Sequence, residues 1–361
     1  MNSFVELSKV IDLKTLWIDI LTPKQARLLG SIASELSSMG YRTIVTARDY
    51  DYTIGTLQRM GIDFKTVGGY AYDLREKLVI EARRIIELLD YLEDFDAAIA
   101  FPNPVAARIS FGLGKPFIAF TDSPHSVAPS RLTLPLARAV IASTCIPQHE
   151  IRKYIYRNET IVEQFRGVDE VQWLKDYEPD INAIRELELE PFNYIVVRPP
   201  EVRASYYTYR DTRGEIAKIV EAAMDMGLRV VYLPRYAQDP IVERFRDRKE
   251  FVVPSRSVGV EGPTLAFYAT AVVTGGGTLA REAALMGTLG ISLFPQQLYV
   301  NKCVEEFGFP LKQVESSEEA LRLIRDAVRD PEKHKSRSRW LIYSLETPMS
   351  ALLRVLRELG I

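Results

Sequence analysis

The chain has 361 residues, about twice an ordinary domain, so two domains with separate cores are the expectation. Hydrophobic residues make up 47% and charged residues 26%, as in soluble globular proteins, and a formal net charge of -2 gives no electrostatic ground for nucleic acid as a main partner. No run of about 18 apolar residues offers a transmembrane segment, and the N-terminus lacks a secretory pattern. The two cysteines, Cys145 and Cys303, have no metal-ligand spacing; they are expected as buried reduced thiols in a cytoplasmic protein without a metal centre.

Residues 1–12 receive no assignment. After them, apolar β-branched runs alternate with helical periods, the pattern of parallel sheets flanked by helices. In the first half the expected strands are 15–20, 43–46, 64–67, 97–100, 117–120 and 139–142. Clear helices fall at 23–38, with proline early and Gly40 at the end, and at 74–92. The segment from Gly167 to Pro191 is acidic and proline-punctuated, as a domain linker often is. Beyond it the scheme repeats, with strands at 194–197, 229–233, 251–253, 271–273 and 290–293, and helices near 213–226, 241–246, 263–269 and 278–286. Two closing helices span 317–328 and 347–359. The fold class is therefore α/β, two tandem Rossmann-like domains. Their expected bounds are 1–168, a linker at 169–191, 192–345, and a last helix at 346–361 that packs back on the first domain.

In doubly wound sheets, ligands gather at the carboxyl ends of the strands. The most telling such end is Ala271-Val-Val-Thr-Gly-Gly-Gly-Thr-Leu-Ala-Arg-Glu282, a buried strand, a glycine turn and a helix. Glycines let the backbone approach a ligand, and helix-start amides suit phosphate. Gly275, Gly276, Gly277 and Thr278 are thus candidate diphosphate contacts, with Arg281 beside them. Glu282, about two turns into the helix, is a candidate for ribose hydroxyls. The plainer alternative is a tight turn followed by an exposed helix residue favoured by the dipole.

Arg198 follows an apolar strand, and its fork of donors suits a diphosphate; a surface pair with Glu201 is the alternative. Thr121-Asp-Ser-Pro-His125 sets Asp122 and His125 after a buried strand, where either is a candidate general base on a sugar hydroxyl. A turn capped by Asp122 explains the same residues. Asp19, Thr22, Arg48 and Asp49, also at strand ends, are candidates for an acceptor pocket, or a solvated charged loop. The run Tyr206-Tyr207-Thr208-Tyr209 suits either stacking on a ligand or domain-surface packing. A dinucleotide reading of Gly275 to Ala280 as G-x-G-x-x-A is disfavoured, since no acid ends the next strand.

The segment Val273-Thr-Gly-Gly-Gly-Thr-Leu-Ala-Arg-Glu-Ala283 resembles the donor loop of peptidoglycan N-acetylglucosaminyltransferases and, less closely, that of UDP-N-acetylglucosamine 2-epimerases. The resemblance implies the glycosyltransferase B architecture, two domains facing a cleft, with diphosphate on Gly275 to Thr278 and ribose on Glu282. Over nearly its whole length the chain looks like a family named only as domain of unknown function 354. Trp17-Ile-Asp19, Thr46-Ala-Arg-Asp49, Thr121 to His125, Val197-Arg-Pro-Pro200 and Gly275 to Ala283 carry that likeness. The activity this architecture implies is that of a metal-independent transferase. Its expected small-molecule partner is a nucleotide-sugar, UDP-linked by preference, as substrate rather than cofactor, with the acceptor open. A UDP-sugar epimerase and a non-catalytic nucleotide-sugar-binding or scaffold protein are the alternatives.

Overall fold

The computed structural model describes residues 13–71, 73–156, 159–202, 211–254 and 261–361. The tyrosine run at 206–209 lies outside the described residues, as do residues 1–12.

Two parallel sheets carry the fold. The first consists of β1 (Thr15–Ile20), β2 (Arg42–Ala47), β3 (Lys65–Thr66), β4 (Ala97–Ala100), β5 (Phe117–Thr121), β6 (Ala139–Ser143) and β7 (Ile161–Phe165), in the order β3-β2-β1-β4-β5-β6-β7. The second consists of β8 (Tyr194–Arg198), β9 (Arg229–Tyr232), β10 (Phe251–Val252), β11 (Ala271–Thr274), β12 (Leu289–Ser292) and β13 (Leu311–Gln313), in the order β10-β9-β8-β11-β12-β13. Central strands such as β1 and β11 are buried along their whole length because helices cover both faces, which is why they read as unbroken apolar runs. The edge strands β7 and β13 were not expected from the sequence: Glu163, Gln164 and Lys312 interrupt them, since an edge strand is half-exposed and needs no apolar run.

Each sheet has one place where the strand order reverses, between β1 and β4 in the first and between β8 and β11 in the second. Loops leaving neighbouring strands there diverge to opposite faces and open a crevice. Asp19 pairs in register with Thr46 and Ala100, and Thr274 with Arg198, so these residues mark the strand ends where the two crevices begin.

The segment from 169 onward is no solvated tether. It forms short helices at Val171–Leu174 and Asn182–Arg185, Glu170 and Val171 are fully buried, and Trp173 and Tyr177 hydrogen-bond to Glu282 and Glu261 of the second domain. The Pro348–Leu359 helix lays Leu352, Val355 and Leu356 into the first domain's core beside Phe165.

Cys145 and Cys303 form a disulfide, which corrects the expectation of reduced thiols. Cys145 follows β6 and Cys303 lies in the Tyr299–Glu306 helix, so the bond joins the two domains across 158 residues of sequence. Sequence distance hid a pair that folding brings to a Cα separation of 5.5 Å. The bond also removes the argument for a cytoplasmic location that rested on free thiols.

Candidate functional site

Both crevices open into one cleft of about 710 Å³ between the domains. From the first domain, residues 21–25 after β1, Phe101, Pro102 and Pro104 after β4, and Thr121, Asp122 and Ser123 after β5 line it. From the second, Arg198 and Glu201 follow β8, and Gly276, Gly277 and Thr278 follow β11.

The first-domain loops are held by helix starts. Thr22 caps the Pro23–Ser38 helix through Gln25 N, while the Gln25 side chain accepts from Leu21 N, a reciprocal cap that fixes the chain's exit from β1. Lys24 and Arg27, three residues apart, then share the helix face toward the cleft. Asn103 caps the Pro104–Gly112 helix in the same way.

On the second-domain wall Gly275 and Gly276 do different work. A Cβ on Gly275 would stand 2.5 Å from the Pro200 backbone nitrogen, so this glycine is required by packing and lies outside the cleft lining. A Cβ on Gly276 would meet nothing within 4 Å. The Gly276 carbonyl accepts from the hydroxyls of Thr274 (2.7 Å) and Ser292 (2.6 Å), pinning the turn. The Thr278–Leu285 helix then begins at the cleft, where its first amides have no intrahelical partner.

Glu282 lines the cleft, is 4% exposed, and accepts from Trp173 Nε1 at 2.9 Å. Burial raises its pKa, with Arg27, Trp173 and Arg198 working against the rise. It is not the exposed helix residue of the plainer reading. Arg281 departs from the expected role. Its Nε binds Glu170 (2.8 Å) and its Nη1 binds Asn301 (3.0 Å), because the fully buried Glu170 needs a counter-charge; Arg281 is absent from the cleft lining.

Arg198 reaches the cleft and pairs with Asp51 of the other domain at 3.3 Å. Glu201, its suggested surface partner, instead accepts from Tyr236 and Tyr50. Burial and then the neighbouring Arg235 push the Arg198 guanidinium down to about 10, and Asp51 only partly restores it. A half-buried cation whose charge is incompletely balanced favours an anionic ligand.

Of the two alternative bases of the sequence reading, Asp122 and His125, one lines the cleft. Asp122 opens on it, but His125 does not line it: past Pro124, whose carbonyl accepts from Tyr154, the imidazole lies half-buried with its ring 6.1 Å from that of Phe294. Burial lowers its pKa, with Asp122 opposing the shift.

The acceptor-side candidates divide likewise. Asp19 is 1% exposed and accepts from Thr46 Oγ1 (2.5 Å), Arg84 Nη1 and Nη2 (2.8 and 2.5 Å) and Asn103 Nδ2 (2.6 Å). It is a structural carboxylate, not a cleft residue, because the Leu74–Tyr91 helix brings Arg84 against it. Asp49 is exposed and outside the lining; Asp51, at a left-handed φ of 52°, takes the cleft position. Thr22 and Arg48 do line the cleft, Arg48 with its guanidinium over the rings of Tyr50 and Tyr70 (5.1 and 5.4 Å).

Sequence reasoning did not single out Lys24, Arg27, Asp169 or Glu170. Lys24 Nζ contacts Asp122 and, at 2.6 Å, Asp169, and stands 5.1 Å from the centre of the Phe101 ring. Burial opposes its charge, yet Asp122, Asp169 and Glu170 outweigh burial and raise its pKa. The carboxylates split: burial is overcome at Asp122 by Lys24 and Arg281, which hold it well below the usual range, whereas burial, with Asp122 and Glu170 adding to it, lifts Asp169. The one signal in the sequence was a lysine and an arginine at i and i+3 where a strand end enters a buried helix.

Solved structures of known proteins are similar to this chain in fold. The UDP-GlcNAc 2-epimerase of Methanocaldococcus jannaschii, solved with UDP-GlcNAc and UDP, matches with a TM-score of 0.70 at 15% identity over 96% of this chain and 99% of its own. The spinosyn forosaminyltransferase SpnP matches with a TM-score of 0.61 at 12% identity, over 97% and 100% of the two chains. At these identities the likeness establishes the fold, two parallel-sheet α/β domains of the glycosyltransferase B type. In sequence, the Uncharacterized protein MJ0665 of Methanocaldococcus jannaschii is 25% identical over 290 residues, 78% of this chain and 82% of that protein. Residues 14–354 match the family described as Protein of unknown function (DUF354), and the chain belongs to that family.

Proposed function

We propose that this protein is a glycosyltransferase that binds a nucleotide-diphosphate sugar, UDP-linked by preference, in the interdomain cleft. The observation that carries the reading is the convergence on one wall of the Thr278–Leu285 helix start and the half-buried Arg198, whose charge Asp51 only partly offsets. In this reading the diphosphate sits on the amides from Gly276 to Thr278 and on Arg198, and Glu282 accepts from the ribose hydroxyls. The same amides and guanidinium stabilise the departing diphosphate, the charge that grows as the glycosidic bond breaks. Asp122, on the facing wall, receives the acceptor's proton.

One observation favours the rival epimerase reading: three carboxylates, Asp122, Asp169 and Glu170, gather around Lys24, more acid–base capacity than a single deprotonation needs. Incubation with UDP-N-acetylglucosamine in deuterated water without acceptor separates the two. An isomerase exchanges a sugar C–H for deuterium; a transferase leaves it intact.

Binding is tested by thermal shift across UDP, GDP, ADP, CMP and dTDP with their sugar conjugates. A ligand at 100 times its Kd adds about 2.7 kcal/mol. The expected result is a selective response to the uridine compounds, lost in Glu282→Ala. An unchanged UDP affinity in that variant overturns the ribose assignment, and a flat panel overturns the donor site.

A further inference from the structure

We propose that Lys24 and Asp169 form a proton relay behind Asp122, so that the proton taken from an acceptor hydroxyl at the cleft comes to rest on Asp169. The inference rests on the transferase reading of the cleft. Its geometric basis is a continuous path: Asp122 lines the cleft, Lys24 Nζ touches Asp122 on one side, and Asp169 Oδ2 lies 2.6 Å from it on the other. Asp169 itself does not line the cleft and is 5% exposed. Lys24 links this buried acid to Asp122, which does line the cleft.

The path solves a chemical difficulty at Asp122. A carboxylate bridged by Lys24 and faced by Arg281 at 3.8 Å is a stable anion and therefore a feeble base. Asp169 is its opposite, since burial and two neighbouring carboxylates make its anion costly. Passing the proton on lets the weak base touch the substrate while the stronger one keeps the proton.

The step balances. The acceptor O–H bond breaks as an O–H bond forms on Asp122, and the freed oxygen pair attacks the sugar carbon while the diphosphate leaves with its bonding pair. The proton on Asp122 moves to Lys24 Nζ as an N–H proton of Lys24 moves to Asp169 Oδ2. Lys24 ends as the ammonium it began as, Asp122 is again a carboxylate, and Asp169 is neutral. Solvent collects the proton from Asp169 by the reverse path after the products leave.

The charged and titratable groups facing this path come from every element packed on it. Arg27 shares the helix of Lys24, His125 follows Asp122, Glu170 follows Asp169, and Arg281 and Glu282 approach from the second domain. Arg281 is committed to Glu170 at 2.7 Å, which leaves Lys24 as the bridge between the two aspartates.

The test uses the intact chain with UDP and UDP-N-acetylglucosamine as probes, and the variants Lys24→Arg and Asp169→Asn. Arginine keeps the positive charge but does not give up a proton. Both variants are expected to bind UDP within twofold of wild type by calorimetry and to release UDP from UDP-N-acetylglucosamine on the order of 100-fold more slowly. Wild-type turnover is expected to fall toward acid pH as Asp169 fills with its proton, and Asp169→Asn to lack that limb. Wild-type turnover in Lys24→Arg overturns the relay and leaves Lys24 as a fixed charge. Loss of UDP binding in the wild type overturns the donor reading instead. Carboxyl ¹³C titration of the wild-type chain decides the relay whether or not a donor binds: it requires Asp169 to titrate above the ordinary aspartate range, and a value in or below that range overturns it.

Discussion

Two clusters of buried charge lie at the carboxyl edge of the first sheet, and only one opens on the cleft. In the Asp19 cluster every charge is matched: Asp19 accepts four hydrogen bonds, Thr46 also accepts from Trp17 Nε1, and Arg84 spends its remaining Nε on Val67 O. In the Lys24 cluster the matching is incomplete. Glu170 Oε2 has no hydrogen-bond partner among the described residues, nor does Thr121 Oγ1 beside Asp122, and the cluster spans both domains. Burial and charge alone do not mark a site. A polar group left unsatisfied within a charged cluster at the wall of a cavity, as the Thr121 hydroxyl is, does, because a ligand can supply what the fold withholds.

Removing Arg84 should break this comparison most severely. Arg84→Met leaves the Asp19 carboxylate buried without its bidentate partner, and breaking such a pair costs about 3–5 kcal/mol. The urea midpoint should drop accordingly. Asp122→Asn, in the open cluster, should lower it by less, since Lys24 keeps Asp169 and solvent reaches the cleft. Equal losses in the two variants would show that both clusters are structural.

The same division runs through the glycine turn. Gly275→Ala drives a methyl group into the Pro200 backbone and should cost about 1–3 kcal/mol of stability. Gly276→Ala meets open space, so its stability should stay within about 0.5 kcal/mol of wild type. Its methyl group projects into the cleft lining, and UDP affinity is the property it should lower. A stability loss at Gly276 matching that at Gly275 would erase the distinction between packing and ligand glycines.

How much of this was legible depended on whether the information was local. Central strands announced themselves: 15–20 and 97–100 coincide with β1 and β4 because both faces of those strands are covered. The glycine turn and Arg198 were found for the same reason, a polar residue or break directly after an apolar run. Short helices such as Thr53–Arg59 and Tyr299–Glu306 gave too few turns for a period to show. The charge networks were illegible, since Lys24 meets Asp122 and Asp169 across 98 and 145 residues, and Arg281 meets Glu170 across 111. Position at a strand end put Asp19 among the acceptor candidates, and only the arrival of Arg84 from 65 residues away shows it to be structural.

A third charge sharpens the contrast further. Lys335 is half-buried like Lys24, but its partners are neutral: its Nζ donates to Phe267 O and Thr288 Oγ1 and lies 3.9 Å from the centre of the Phe267 ring. Burial pushes it down to about 7, with Glu332 opposing only weakly, whereas the carboxylates around Lys24 reverse the effect of burial and raise its pKa. A lysine whose folded pKa lies below its unfolded one binds fewer protons folded than unfolded between the two values. Wild-type stability therefore gains from this group as pH rises from about 7 toward the unfolded value, by at most about 1.4 kcal/mol per pH unit. Below that window the cost of burying the ammonium is fully present. Lys335→Met removes the titrating group, so its stability relative to wild type should be greatest near pH 6 and decline steadily toward pH 9, whatever constant penalty the lost hydrogen bonds impose. Paired urea titrations across that range check the slope. A difference that does not vary with pH would mean that Lys335 keeps its proton throughout, and that the ring and the two oxygens balance its charge as fully as the carboxylates balance that of Lys24.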